Sequence, residues 1–201
     1  MTGILAKQWV SQDALNQADE LGLEIWVRKM DVAANPLKEH DITYVACTRQ
    51  PRATNDAHYC QDTSYELKDL EKLIKEHAKA EDLDFKDMLY FPVFISTDGT
   101  IGYSTNQTDG KVFSGYVYFS KKMIREWLCV KTISAASKKI AKVAAETALI
   151  KLSKWTYGDV YSVSIEKDDE VIDMITDIYA LPLISKLTDD LMDNISARMV
   201  I

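Results

Sequence analysis

Residues 134–155 read SAASKKIAKVAAETALIKLSKW, and this segment predicts one long helix. Four residues recur at i, i+4, i+7 and i+11 and form a stripe of mostly small side chains: Ala141, Ala145, Ala148 and Leu152. Such a stripe allows a helix to pack closely on a sheet. Three β-branched residues occupy another side of the same helix: Ile140, Val143 and Ile150. We therefore expect the helix to bury two faces, the second either within the chain or against another copy of it.

The segments around this helix predict strands. Alternating or β-rich runs occur over residues 23–30, 42–48, 90–96 and 160–165. Pro92 cannot donate to a sheet ladder, which predicts a strand start, an edge or a bulge at that position. Asp-Gly pairs at 98–99 and 109–110 flank residues 101–104 and precede residues 112–119. This arrangement predicts a three-stranded antiparallel meander.

Together these segments predict an α+β fold. Shorter helices are expected over residues 8–21, 64–80, 121–129 and 182–195, whereas residues 171–180 fit neither the helix period nor the strand period. We expect a single domain over residues 1–201, in which residues 1–87 could form an N-terminal sub-lobe. Its centre would be a mostly antiparallel sheet of five or six strands, with the 134–155 helix on one face and further helices around it.

Charge is sorted along the chain. The net charge is -7, yet residues 111–158 contain ten Lys or Arg and only two acids. Such segregation indicates either a surface that meets a charged partner or acidic and basic segments that lie against each other. On a helical wheel, Lys138 and Lys142 point away from Lys151 and Lys154. The long helix therefore has no single basic stripe.

The composition is that of an ordinary globular protein, with 47% apolar and 27% charged residues. The chain has no run of 18 uncharged apolar residues, and its start lacks the pattern of a secretory signal, so we expect no membrane association. Three cysteines without a Cys-x-x-Cys pair favour thiols in a reducing compartment. We therefore expect a cytoplasmic protein.

Two groups of residues could bind a metal ion or act in catalysis, and each group also has a simpler structural interpretation. Asp56, His58 and Cys60 form an Asp-x-His-x-Cys string of metal-ligand types, but the spacing matches no familiar zinc pattern and an exposed loop explains it. Asp98 and Asp109 could form a carboxylate pair, although Asp-Gly is above all a hairpin-turn sequence. The usual hydrolase and nucleotide-binding motifs are absent. We expect no catalytic residues, no metal and no cofactor.

The Lys-rich and Arg-containing segment 111–158, which we call the basic block, supplies the best candidate binding residues. Cations interleaved with aromatic side chains can hold phosphates and stack bases. The candidate set for binding nucleic acid or a partner is Tyr116, Tyr118, Lys121, Lys122, Arg125, Lys138 and Lys142. The alternative is a solvated lysine surface that the acidic segments neutralise.

Four segments together resemble a group of bacteriophage and mobile-element proteins of unknown function. They are GTIGYST (99–105), SGYVYFSKK (114–122), YGDVY (157–161) and IEKDDEVID (165–173). The resemblance covers about residues 88–175. Members of that group tend to carry Asp-His-Ser-Gly where this chain has Thr97-Asp98-Gly99, and Cys-Trp-Gly-Phe-Tyr-Gly where it has MITDIYA (174–180). The resemblance implies a phage product that acts in the bacterial cytoplasm, and it implies no particular chemistry.

These observations lead to three hypotheses about function. The first is a phage-encoded accessory protein that binds and modulates a host macromolecule, such as a defence component or a nucleic-acid enzyme, without catalysis of its own. The second is a single-stranded nucleic-acid-binding protein that uses the basic and aromatic segment 116–127. The third is a small hydrolase or transferase, which needs a pocket with convergent titratable groups. The expected partner is a host protein, with nucleic acid and a second copy of the chain as alternatives.

Overall fold

The structure, a computed structural model, describes residues 4–5, 8–31, 33–38, 42–47, 58–59, 65–96 and 102–199. Contacts divide the chain into two compact units. The terminal unit comprises Met1–Ala34 and Tyr157–Ile201, and the central unit comprises Asn35–Thr156. The terminal unit is therefore assembled from both ends of the chain.

The described helices and strands follow one another in an α+β order. They are β1 (Ile4–Leu5), α1 (Gln12–Leu21), β2 (Glu24–Lys29), β3 (Thr43–Ala46), β4 (His58–Tyr59), α2 (Leu70–Ala80), β5 (Met88–Ser96), β6 (Tyr103–Ser104), β7 (Lys111–Ser120), α3 (Lys121–Trp127), α4 (Ala135–Thr156), β8 (Tyr161–Lys167), β9 (Glu170–Ile178) and α5 (Leu181–Met199). Short 3₁₀ turns, Leu67–Asp69 and Phe85–Asp87, precede α2 and β5. In the described part of the chain, no helix is both long and apolar enough to cross a lipid bilayer.

The terminal unit is an antiparallel sheet in the order β1-β2-β8-β9, covered on one face by α1 and α5. Alternate strand residues such as Ile25 and Val163 point into this core, as the two-residue period of a strand requires. Ser11 caps α1 by accepting from the Ala14 amide, and its hydroxyl also donates to Asp189 of α5. The cap therefore joins the two helices as well as starting one of them.

The central unit is a five-stranded sheet in the order β4-β3-β7-β5-β6, with helices on both faces. The helix α4 packs on the face that contains Val117 and Phe119, and α2 packs on the opposite face, which contains Tyr116. Gly115 of β7 has φ 140°, and a Cβ at that position would lie 2.0 Å from the Val45 carbonyl oxygen. Only glycine allows β3 to approach β7 this closely.

The structure confirms the α+β class and the predominance of antiparallel pairing, but the strands belong to two sheets rather than one. Within the described residues one pair, β3 with β4, is parallel. The predicted meander order is wrong, because β5 lies between β6 and β7 and pairs with both. Strand order depends on contacts between distant segments, which turn sequences do not encode. The expectation of one domain over residues 1–201 stays a prediction.

Local features agree well with the sequence. The long helix spans Ala135–Thr156, and Gly22 ends α1 in the left-handed conformation. Asp168 and Asp169, with φ 50° and 66°, form the turn between β8 and β9. Among the described residues, β6 pairs with β5 at Phe94 and Ile95. At Pro92, β7 is therefore the one described neighbour of β5. A proline has no amide hydrogen to donate to a second neighbouring strand, so it fits this edge position.

Candidate interaction surface on the long helix

The helix α4 has one buried face and one exposed apolar face. Its sheet-facing residues have no exposed surface: Ala141, Ala145, Ala148, Leu149 and Leu152. By contrast, Ile140, Val143 and Ile150 keep 47%, 59% and 55% of their surface exposed. The expectation that α4 buries two faces is therefore correct for the alanine stripe. Burial of the second face within the chain is wrong, since that face is open among the described residues, and its burial against another copy stays a prediction.

The exposed apolar residues lie along one line of α4. The spacing alternates between four and three residues over Ala136, Ile140, Val143, Thr147 and Ile150, which we call the outer seam. This is the spacing of a and d positions in a coiled coil. Thr147 fits an apolar line, because its hydroxyl donates to the Val143 carbonyl at 3.0 Å and is satisfied within the helix.

Lysines border the outer seam. The helix α4 contains five lysines and a single acid, Glu146. Lys139 lies one turn before Val143, and Lys154 lies one turn after Ile150; both lysines are exposed. No carboxylate of the described residues lies within ion-pair distance of either lysine. The seam is therefore an apolar line with Lys139 beside it and Lys154 at its carboxyl end.

Glu146 is turned toward the sheet and does not neutralise these lysines. Its carboxylate accepts from the Ser104 hydroxyl at 2.7 Å, the Thr105 amide at 2.7 Å and the Thr105 hydroxyl at 2.5 Å. Burial raises the pKa of Glu146, but the hydrogen bonds from Thr105 and Ser104 and the charge of Lys111 outweigh burial and lower the pKa below its usual value. The only acid of α4 thus fastens the helix to the strand β6.

The aromatic part of the predicted nucleic-acid site does not have the expected exposure. Tyr116 is fully buried, and its hydroxyl is hydrogen-bonded to Nδ1 of His77 at 2.7 Å. Tyr118 is half-buried, with its ring centroid 5.7 Å from that of His77. The expectation that Tyr116 stacks on a base is wrong, because alternation along β7 turns this side chain into the α2 core.

The basic residues of the predicted site are largely engaged within the central unit. Lys121 donates to the backbone carbonyl of Lys86, and Arg125 pairs with Asp87 at 3.4 Å. On α4, Lys142 donates to the side chain of Asn106 at 2.8 Å. Two members of the set are exposed with no described side-chain partner: Lys122 and Lys138. Lys121 and Arg125 therefore join α3 to the 3₁₀ turn before β5.

The other candidates for chemistry are only partly described. Asp56, Cys60 and Asp98 lie outside the described residues, as does the side chain of His58. Asp109 precedes Gly110, whose φ of 77° is that of a turn. Within the described ranges, no three His, Cys, Asp or Glu side chains are close enough to share a metal ion.

The terminal unit has a second exposed surface on the open face of its sheet. Arg28 lies over the Trp26 ring at 4.8 Å and makes a two-point pair with Glu166, with one N–O distance of 3.1 Å. The bonds from Arg28, together with that from Ser164, lower the pKa of Glu166 despite its burial. Met174, which pairs with Ser164 across the strands, is 52% exposed. This face is therefore polar at its centre and apolar beside it.

Comparison with protein-family models, with curated proteins and with solved structures gives no match. The functional argument therefore depends on the surfaces themselves. Sequence analysis identified Ile140, Val143 and Ile150 as an apolar side of α4 and expected them to be buried. The buried residues Ala141, Ala145, Ala148 and Leu152 repeat with the same alternation of four and three, so the spacing marks both faces of α4 and only the exposed fraction distinguishes them.

Proposed function

We propose that this protein is a phage-encoded accessory factor that binds and modulates a host protein through the outer seam of α4. The observation that carries the proposal is the exposure of Ile140, Val143 and Ile150 in one line on the longest helix. Exposed apolar lines of this kind mark interaction sites more often than single exposed apolar residues do. The phage context comes from the resemblance of residues 88–175.

A protein partner fits this surface better than nucleic acid does. Nucleic-acid sites combine accessible cations with accessible aromatic rings. Here Tyr116 is buried, and Arg125 and Lys121 are bonded within the central unit. The outer seam instead offers β-branched apolar side chains, which pack against apolar side chains of another protein.

The proposal is tested by capture of host proteins with matched variants. The seam variant carries Ile140→Gln, Val143→Gln and Ile150→Gln. The control variant carries Val112→Thr, Val171→Thr and Met174→Gln, which change residues of similar exposure, 51%, 56% and 52%, outside α4. Exposed substitutions of this kind change stability by about 0.5 kcal/mol each or less, so both variants should fold.

We expect the wild-type protein and the control variant to recover the same host protein from a bacterial extract after cross-linking. The seam variant should recover at least about tenfold less, because three apolar anchors of about 1 kcal/mol or more each are lost. Quantitative mass spectrometry measures the recovery. Equal recovery by the seam variant would show that the interaction does not use α4.

A further inference from the structure

We propose that the occupant of the outer seam is an acidic amphipathic helix of the partner protein. This inference rests on the proposed function and adds the chemistry of the partner to it. Two properties of α4 lead to it: the spacing of its exposed apolar residues and the sign of the charges beside them.

The spacing favours a helix as the occupant. A line with intervals of four and three residues runs nearly parallel to the helix axis, and from Ala136 to Ile150 it extends about 21 Å at 1.5 Å per residue. A second helix packed at a small crossing angle matches such a line over its whole length, with side chains of one helix fitting between those of the other. An added strand would need an exposed sheet edge, which α4 does not offer.

The charges favour an acidic helix over a second copy of this chain. In a paired helix, the residues that flank the apolar line face the flanking residues of the partner. Lys154 continues the line at its carboxyl end, so two parallel copies of α4 would place this lysine against its equivalent, and Glu146, which is held by Ser104 and Thr105, would not neutralise Lys139 beside the line. Like charges at these positions are unfavourable, whereas glutamates or aspartates are favourable.

The experiment uses the intact protein and two designed peptides of about 21 residues, each with three heptads and leucine at positions a and d. One peptide carries glutamate at e and g, and the other carries lysine there. Both resist self-pairing, because their own flanking charges repel. Fluorescence anisotropy of the labelled peptides measures binding, and the variant Lys139→Glu/Lys154→Glu serves as the charge-reversed protein.

We expect the wild-type protein to bind the glutamate peptide at least about tenfold more tightly than the lysine peptide at low salt. The preference should weaken as salt is raised, because exposed charge pairs are screened. The charge-reversed protein should lose the preference or reverse it. The seam variant should bind neither peptide, since the apolar contacts are common to both.

Three results would overturn the inference. The first is equal binding of the two peptides, and the second is binding of neither peptide by wild-type protein. The third is a dimer, detected by sedimentation, that the seam variant abolishes, since a second copy would then occupy the seam. If any of these occurs while the seam variant still fails to capture the host protein, the proposed function stands and only the chemistry of the partner is wrong.

Discussion

At the residue scale, Glu146 joins α4 to the edge of the central sheet. Three hydrogen bonds reach its carboxylate from Ser104 and Thr105 of the segment at β6. The strand β6 is only two residues long, and β5 is the one described strand that pairs with it. We therefore infer that Glu146 supplies a substantial part of the interactions that hold this short strand in place.

Glu146→Gln should destabilise the protein in a pH-dependent way. The pKa of Glu146 is lower in the folded protein than in the unfolded chain. Its contribution is therefore complete above the unfolded pKa, about 4.3, and is lost as the pH falls toward the folded pKa. Urea unfolding should show a loss of about 1 to 2 kcal/mol at pH 7 and a smaller loss near pH 3.5.

Glu126→Gln is the control for this prediction, because Glu126 is exposed. It should change the free energy of unfolding by less than about 0.5 kcal/mol at both pH values. An equal loss for Glu146→Gln at pH 7 and pH 3.5 would contradict the role given to the ionised carboxylate.

At the element scale, the two faces of α4 have different tolerance to larger side chains. Ala145 has no exposed surface and packs against the sheet, whereas Ala136 is exposed at the start of the outer seam. Close packing of a helix on a sheet leaves no room for additional methylene groups on the buried face. The same change of residue should therefore destabilise the protein at Ala145 and have little effect at Ala136.

Ala145→Leu should lower the free energy of unfolding by about 1 to 3 kcal/mol, because the added atoms overpack the core between α4 and the sheet. Ala136→Leu should change it by less than about 0.5 kcal/mol. Thermal or urea unfolding followed by circular dichroism measures both. A small effect of Ala145→Leu would show that α4 does not lie as close to the sheet as its alanine stripe implies.

At the scale of the whole molecule, the folded central unit connects the two chain segments that form the terminal unit, and the terminal unit is more stable for that reason. Its two chain segments are separated by the 122 residues of Asn35–Thr156. They meet within the terminal unit, where the Met30 amide donates to the Val160 carbonyl at 2.8 Å. If the central unit unfolded, the terminal unit would have to close a loop of that length, at a cost of about 4 to 5 kcal/mol.

We therefore expect the chain to unfold in one transition, with the calorimetric and van't Hoff enthalpies equal. Gly115→Ala should destabilise the central unit by about 3 kcal/mol or more, because the new Cβ meets the Val45 carbonyl oxygen. Hydrogen exchange should then accelerate in β2 and β8 as well as in β5 and β7. Unchanged protection of β2 and β8 would mean that the terminal unit is stable on its own.

Much of the local structure, and part of the candidate site, could be predicted from the sequence. Ser11 and Gly22 mark the ends of α1, and the alanine stripe identifies the buried face of α4. These predictions succeed because caps and hydrophobic periods depend on residues within a few turns of one another. Sequence analysis also found the apolar side of α4 that contains Ile140, Val143 and Ile150.

Only the tertiary structure decided which segments meet. It divided the strands between two sheets, placed β5 between β6 and β7, and turned Tyr116 into the core. It also left the outer seam open, since a period shows that a helix face is apolar but not whether another element covers it. The physical reason is common to all of these features: pairing and burial are set by contacts between residues far apart in the chain, and those contacts leave no signal in any single segment.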